Sequence, residues 1–310
     1  MKDPTSIGQR FSRIVLVFNP DPGKTAPYLA RLLRDDIADR LPGIPVEFSP
    51  TDHAGHGREL ARLAATRSSR DGRPPVLIVS ISGDGGYNDV VNGVMDVPGS
   101  TAVCAVLPAG NANDHRRSVE SLPVIDAIAA GGIRRMDLLR LAITSTRGAH
   151  TRQDVRHAHS YIGFGLTAEM GRGIERAGKG GVRELLGVAR TLPRLRPFEI
   201  ERADGARAQF DSLILANVTG MAKYGTVSDA LVPSDGRFEV IALPHSSRWA
   251  LALMTLRAVT IGLGPQDSVE RYAFTTHSPL PVQLDGELLE VPAGSHVAVE
   301  SAHRAVRVIG

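Results

Sequence analysis

The chain has 310 residues, 42% hydrophobic and 22% charged, with 36 basic against 33 acidic side chains and a formal charge of +3. That is the composition of a folded globular protein with apolar material for two cores, and its single cysteine, Cys104, excludes an intrachain disulfide and fits a reducing compartment. So small a basic excess does not point to nucleic acid, while it is compatible with a surface that visits anionic lipid.

Met1 to Arg13 holds no apolar run of signal-peptide length. Ile14–Phe18 reads as a strand ending in the turn Asn19-Pro20-Asp21-Pro22-Gly23. Tyr28–Leu41 carries apolar residues near helical spacing, Val46–Phe48 reads as a short strand and Gly57–Thr66 as a helix. Pro74-Pro75 opens Val76–Ile81, a continuous apolar run suited to a buried parallel strand. A glycine-rich turn, Ser82–Gly86, leads to a helix over Asn88–Val94, a second buried strand over Thr101–Leu107 and a helix over Val124–Ala130. Strands alternating with helices predict a parallel, helix-covered sheet.

The second half reads differently. Short strands over Met136–Ile143, His159–Ile162, Phe198–Glu201, Phe210–Asn217, Phe238–Ala242, Tyr272–Thr276, Pro281–Leu284 and His296–Glu300 are separated by turns such as Asp204-Gly205 and Asp235-Gly236. They predict an antiparallel β-sandwich carrying one or two helices. Thr144–Ala158 is polar and basic, expected as an exposed loop or hairpin tip. Gly131-Gly132 interrupts the first pattern, so the expected domains are 1–133, an α/β domain with a mostly parallel sheet, and 134–301, a β-sandwich-like domain, with residues 302–310 returning to the first. Trp249–Leu263, the longest apolar stretch, is interrupted by Arg257 and threonines and is too short and polar to span a bilayer. The expected location is cytoplasmic, with peripheral membrane contact.

Ser82-Gly83-Asp84-Gly85-Gly86-Tyr87-Asn88-Asp89-Val90-Val91-Asn92-Gly93 follows a buried strand and opens a helix. Backbone amides and the helix dipole hold phosphate at such a place, and glycines let the main chain approach the anion. Asp84 beside phosphate makes sense as a metal ligand or as an organiser of the loop. The plain alternative is a tight strand-to-helix turn with an aspartate cap, and one such turn is a weak signal. Pro108-Ala109-Gly110-Asn111-Ala112-Asn113-Asp114 repeats the arrangement after the next strand, and Asn19–Lys24 supplies a third loop with a lysine suited to phosphate. Strand ends of one parallel sheet bring such loops to one edge, where these folds bind ligands.

These segments together resemble the diacylglycerol kinase catalytic family, which includes sphingosine kinases and bacterial lipid kinases. Asn19, Pro20 and Gly23 match its opening Asn-Pro-x-(Ser/Gly)-Gly. Ser82–Gly93 matches Gly-Gly-Asp-Gly-Thr-x-Asn-Glu-Val-Val-Asn-Gly, with Ser82 for the first glycine, Gly86 for the threonine and Asp89 for the glutamate. Pro108, Gly110, Asn113 and Asp114 match Pro-x-Gly-Thr-x-Asn-Asp, with Asn111 for the threonine. Gly163-Phe164-Gly165, Asp235-Gly236 and Asp285-Gly286-Glu287 follow in family order, so the likeness covers nearly the whole chain.

The resemblance implies an ATP-dependent kinase with Mg2+, a nucleotide cleft between the domains and a diacylglycerol- or sphingoid-like lipid substrate. It makes Asn19, Lys24, Gly83, Gly85, Gly86, Asn88, Gly110, Asn111, Asn113 and Glu287 nucleotide-site residues. Asp84, Asp114 and Asp137 are the implied metal network, and Asp285, with Asp84, the implied catalytic carboxylate. Phosphoryl transfer to an alcohol needs an acceptor for the hydroxyl proton, which a carboxylate at a strand end suits. On the residues alone, however, Asp285-Gly286 reads first as a hairpin turn. The altered Ser82, Gly86 and Asn111 keep a catalytically silent lipid-binding module open, and the shared Gly-Gly-Asp-Gly element keeps open a soluble-substrate kinase of the NAD kinase type. Residues 172–196 hold seven Arg/Lys among leucines and read as a membrane-surface helix or as an ordinary solvated face. His53 and His56 lack cysteine or clear carboxylate partners, so no zinc is expected. A homodimer is compatible with the sequence.

Overall fold

The computed structural model describes residues 10–70, 74–109, 122–147, 150–165, 197–217, 220–221, 225–226, 234–245 and 266–309. The chain divides into two compact units, residues 1–136 with 304–310 and residues 137–303. Its elements run β1 (Arg13–Phe18), α1 (Ala26–Arg40), β2 (Val46–Pro50), α2 (His56–Arg70), β3 (Val76–Ser82), α3 (Asp84–Met95), β4 (Val103–Pro108) and α4 (Val124–Ala130). Then come β5 (Ile133–Arg147), β6 (His150–Ala158), β7 (Tyr161–Gly165), β8 (Phe198–Arg202), β9 (Arg207–Ala216), β10 (Gly220–Met221), β11 (Gly225–Thr226), β12 (Phe238–Pro244), β13 (Asp267–Val269), β14 (Arg271–Thr276), β15 (Leu280–Leu284), β16 (Glu287–Val291) and β17 (His296–Ile309).

In the first unit the sheet order is β2–β1–β3–β4, with the end of β17 beside β4, and every pair is parallel. The continuous apolar run of β3 is buried along nearly its whole length, as expected of a strand covered on both faces. Helix α1 buries Ala26, Ala30, Leu33 and Ile37, one face at helical spacing, and packs with α4. Helices α2 and α3 pack on each other. Right-handed crossovers put α1 and α2 on opposite faces, because β1 leads out to β2 and the chain then returns past it to β3. The order therefore reverses between β1 and β3, and such a switch point opens a crevice at the carboxyl ends of the strands.

The pairing of α2 with α3 explains one glycine of the sequence motif. A Cβ on Gly93 would fall 2.2 Å from the Arg58 carbonyl oxygen, so only glycine admits the approach. Alongside, Arg58 grips both oxygens of Asp96, each at 2.7 Å.

The second unit is built of antiparallel strands in the order β16–β15–β7–β9–β8–β14–β17, with β12 also on β9 and β13 on β12. Its core gathers Phe164, Phe238, Phe274, Leu213 and Val282, with Phe164 and Phe274 edge to face at 5.3 Å. Thr144–Arg147 and His150–Ala158 lie in the paired strands β5 and β6, in register from Leu139↔Ala158 to Arg147↔His150, so they are strand where a loop was one expectation. Pairing across a hairpin gives a polar stretch regular structure without any apolar face. Glu287–Val291, not foreseen as a strand, pairs with β15 across the Asp285-Gly286 turn. No helix among the described residues is long and apolar enough to cross a membrane.

Candidate active site

Two loops leave neighbouring strands at the switch point of the first unit. After β1, the Asp21 amide donates to Asn19 Oδ1 at 2.9 Å, and the Gly23 amide donates to Asp21 Oδ1 at 2.9 Å. These nested side-chain turns set the loop's shape, so Asn19 has a structural task in addition to any ligand contact. Lys24 lies exposed at the end of the loop, its amide donating to the Asp21 carbonyl at 3.0 Å.

After β3, helix α3 starts at Asp84, four residues before the expected Asn88, so the glycine motif forms the first helical turn itself. Gly83 is the extended N-cap and has no side chain with which to cap. The Tyr87 amide donates to the Gly83 carbonyl at 3.1 Å. The first turn of an α-helix, here Asp84, Gly85 and Gly86, carries the positive end of the helix dipole. An anion with several oxygens suits that position. Asn88, by contrast, is buried (3% exposed) and accepts a hydrogen bond from Asn92 inside α3, so the fold turns it into the helix packing. The Ala109 amide donates to the Ser82 carbonyl at 2.9 Å and ties the exit of β4 to that of β3. Gly110, Asn111, Asn113 and Asp114 lie outside the described residues.

The second unit surrounds Asp285 with donors. Asp285 stands at φ 46° and Gly286 at φ 97°, the left-handed pair that a two-residue hairpin turn requires, here between β15 and β16. The turn leaves the Asp285 side chain buried (1% exposed). Its Oδ1 accepts from the Ser160 and Tyr161 amides at 3.0 and 2.9 Å, and Oδ2 accepts from the His159 amide at 2.6 Å. His159 Nε2 stands 3.4 Å from Oδ2, and His159 Nδ1 pairs with Ser160 Oγ at 2.8 Å. Burial pushes the Asp285 carboxyl above its ordinary value, and the His159 ring and the three amides pull against that rise without cancelling it. The turn residue and the buried, amide-bound carboxylate are thus one object.

Asp137, on β5, is also buried, and its oxygens meet the Gly236 amide at 2.6 Å and His303 Nδ1 at 3.0 Å. Glu287 is exposed at the start of β16. Among the described residues no three acidic, histidine or cysteine side chains gather as a metal site. Sequence reasoning passed over Ser80, His159, Ser160, Tyr161 and His303. Three of these contribute backbone amides, which carry no residue identity, and only a buried histidine could have drawn notice. The 172–196 and 249–263 segments lie outside the described residues.

Comparison with known proteins supplies relatives. Residues 13–141 match the family model of the diacylglycerol kinase catalytic domain. A diacylglycerol kinase of Bacillus subtilis (strain 168) is 26% identical over 251 residues, 76% of this chain and 75% of the relative. Two solved chains from Bacillus anthracis str. Sterne, the second described as a diacylglycerol kinase, align with TM-scores of 0.71 and 0.68 at 17% and 15% identity, each over 97% of both chains. Yeast NADH kinase complexed with NADH aligns at a TM-score of 0.51 and 12% identity, over 97% of this chain and 83% of its own, a likeness of fold alone. Residues 13–141 of this chain are thus similar to the diacylglycerol kinase catalytic domain, and the chain shares the fold of the solved Bacillus anthracis str. Sterne proteins.

Proposed function

We propose that this kinase transfers the γ-phosphoryl group of ATP to a hydroxyl of a diacylglycerol- or sphingoid-like lipid. The observation that carries the reading is the pair of loops at the β1/β3 switch point, one of them the first turn of α3 with its amides aimed past the strand ends. The match of residues 13–141 to the diacylglycerol kinase catalytic domain supports the kinase chemistry.

On this reading the first turn of α3 binds the phosphates at the positive end of its dipole and the exposed Lys24 adds a positive charge. Asp84, a hard oxygen donor at the helix start, would hold magnesium together with the phosphates. That ion, when bound, neutralises phosphate charge. Asp285 takes the proton from the attacking lipid hydroxyl, and its raised pKa makes it a stronger base than a solvated aspartate. The lipid is met at the membrane surface by peripheral association.

The deciding experiment incubates the protein with γ-labelled ATP and magnesium. The acceptors are diacylglycerol, sphingosine and NAD in parallel, with native lipid extract analysed by mass spectrometry. Label in a lipid supports the reading. Label in NAD alone replaces it with a soluble-substrate kinase, and no transfer to any acceptor leaves a silent lipid-binding module.

A further inference from the structure

Ser82 and Gly86 face each other across the start of α3. A Cβ built on Gly86 would lie 2.6 Å from Ser82 Cβ and 2.7 Å from Ser82 Oγ, closer than such atoms approach. The Ser82 side chain therefore fills the space that a side chain at position 86 would enter. Its hydroxyl donates to the Gly83 carbonyl at 2.9 Å, which leaves Ser80 Oγ as the donor to Ser82 Oγ at 2.7 Å. The same Gly83 carbonyl accepts the Tyr87 amide, so Ser82 acts on the group that closes the first helical turn.

The sequence pattern shows the same exchange. The pattern that this segment resembles has glycine at position 82 and threonine at position 86, and this chain has serine and glycine. Read separately, these are two losses. In space they are one substitution, in which the hydroxyl and its Cβ move from the third residue of α3 to the last residue of β3. Two glycines in the first turn weaken it, and a hydroxyl bound to Gly83 O works against that.

We propose that Ser82 is a positioning residue for nucleotide, coupled to Gly86. Its hydroxyl holds the first turn of α3 in the form that presents the positive end of the helix to a nucleoside triphosphate. This rests on the kinase reading above.

The test uses the full chain and four variants: Ser82→Ala, Ser82→Gly, Gly86→Thr and the Ser82→Gly/Gly86→Thr pair. Melting temperature and the Kd for MgATP are measured for each. Ser82→Ala keeps the filler and removes the hydroxyl, so it should melt near wild type yet bind MgATP roughly tenfold more weakly. Gly86→Thr alone overpacks the turn and should melt lower by roughly 2–6 °C. The double variant should regain both melting temperature and affinity beyond the sum of its parts. Wild-type affinity in Ser82→Ala, or strictly additive effects in the double variant, overturns the proposal. A wild-type protein that binds no MgATP instead sinks the kinase reading and the nucleotide role with it. The melting cycle would then still decide whether the two positions are coupled.

Discussion

Asp285 carries the most information for a single residue. Its carboxyl has a raised pKa, so activity that needs it ionised should fall away at higher pH than an ordinary aspartate would cause. Stability runs the other way. The folded state holds the proton more tightly than the unfolded chain, so folding stability should decline as pH rises from 3.8 through the raised value and then level off. Measuring turnover and urea midpoints over the same pH series checks both signs, and parallel curves would rule out Asp285 as the common cause. Asp285→Asn is not the neutral replacement that a turn aspartate suggests. Three backbone amides point at the carboxylate oxygens, and an amide NH2 in place of one oxygen would face a donor. The variant should lose about 1–3 kcal/mol of stability as well as most phosphoryl transfer. A fully stable but inactive Asn variant would show that the amide cradle contributes little.

At the scale of elements, the start and the flank of α3 make separate predictions. Asp84 sits in the first turn, where its charge is favourable to the helix and where phosphate and metal would also bind. Asp84→Asn should therefore cost less than about 1 kcal/mol in folding while removing most magnesium-dependent turnover. A large drop in melting temperature with normal turnover would make Asp84 structural only. Gly93 is the opposite case. Because its missing side chain faces the rigid Arg58 carbonyl, Gly93→Ala should destabilise by about 1–3 kcal/mol or more, by forcing α2 and α3 apart. Denaturant unfolding of the variant measures this, and an unchanged midpoint would mean that the helices slide freely.

At the scale of the whole molecule, each unit has its own core, and Cys104 lies in that of the first. Burial in β4 pushes its thiol up to about 12. A thiol reagent at pH 8 should leave native Cys104 unlabelled and modify it only as the first unit opens. MgATP at 100 times its Kd should then slow labelling roughly a hundredfold, since a ligand of the native state stabilises it by about 2.7 kcal/mol. Labelling that ignores MgATP would place nucleotide binding away from this unit. One free cysteine in the chain makes the readout unambiguous.

What was legible in the sequence is what local chemistry encodes. The apolar run of Val76–Ile81 suits a strand covered on both faces, the glycine motif behind it marks a helix start, and Asp285-Gly286 suits a tight hairpin by its need for positive φ. Tertiary structure decided the rest. The amides that hold Asp285 come from residues 124–126 positions away, and an amide has no letter of its own in a sequence. The resemblance makes Asn88 a nucleotide-site residue at the start of a helix, yet the earlier start of α3 turns it inward to Asn92. Ser82 and Gly86 read as two defects four residues apart until the helix start folds one onto the other. Spacing along the chain fixes which elements form, whereas the register between elements, set by how their cores pack, fixes which side chains share a site.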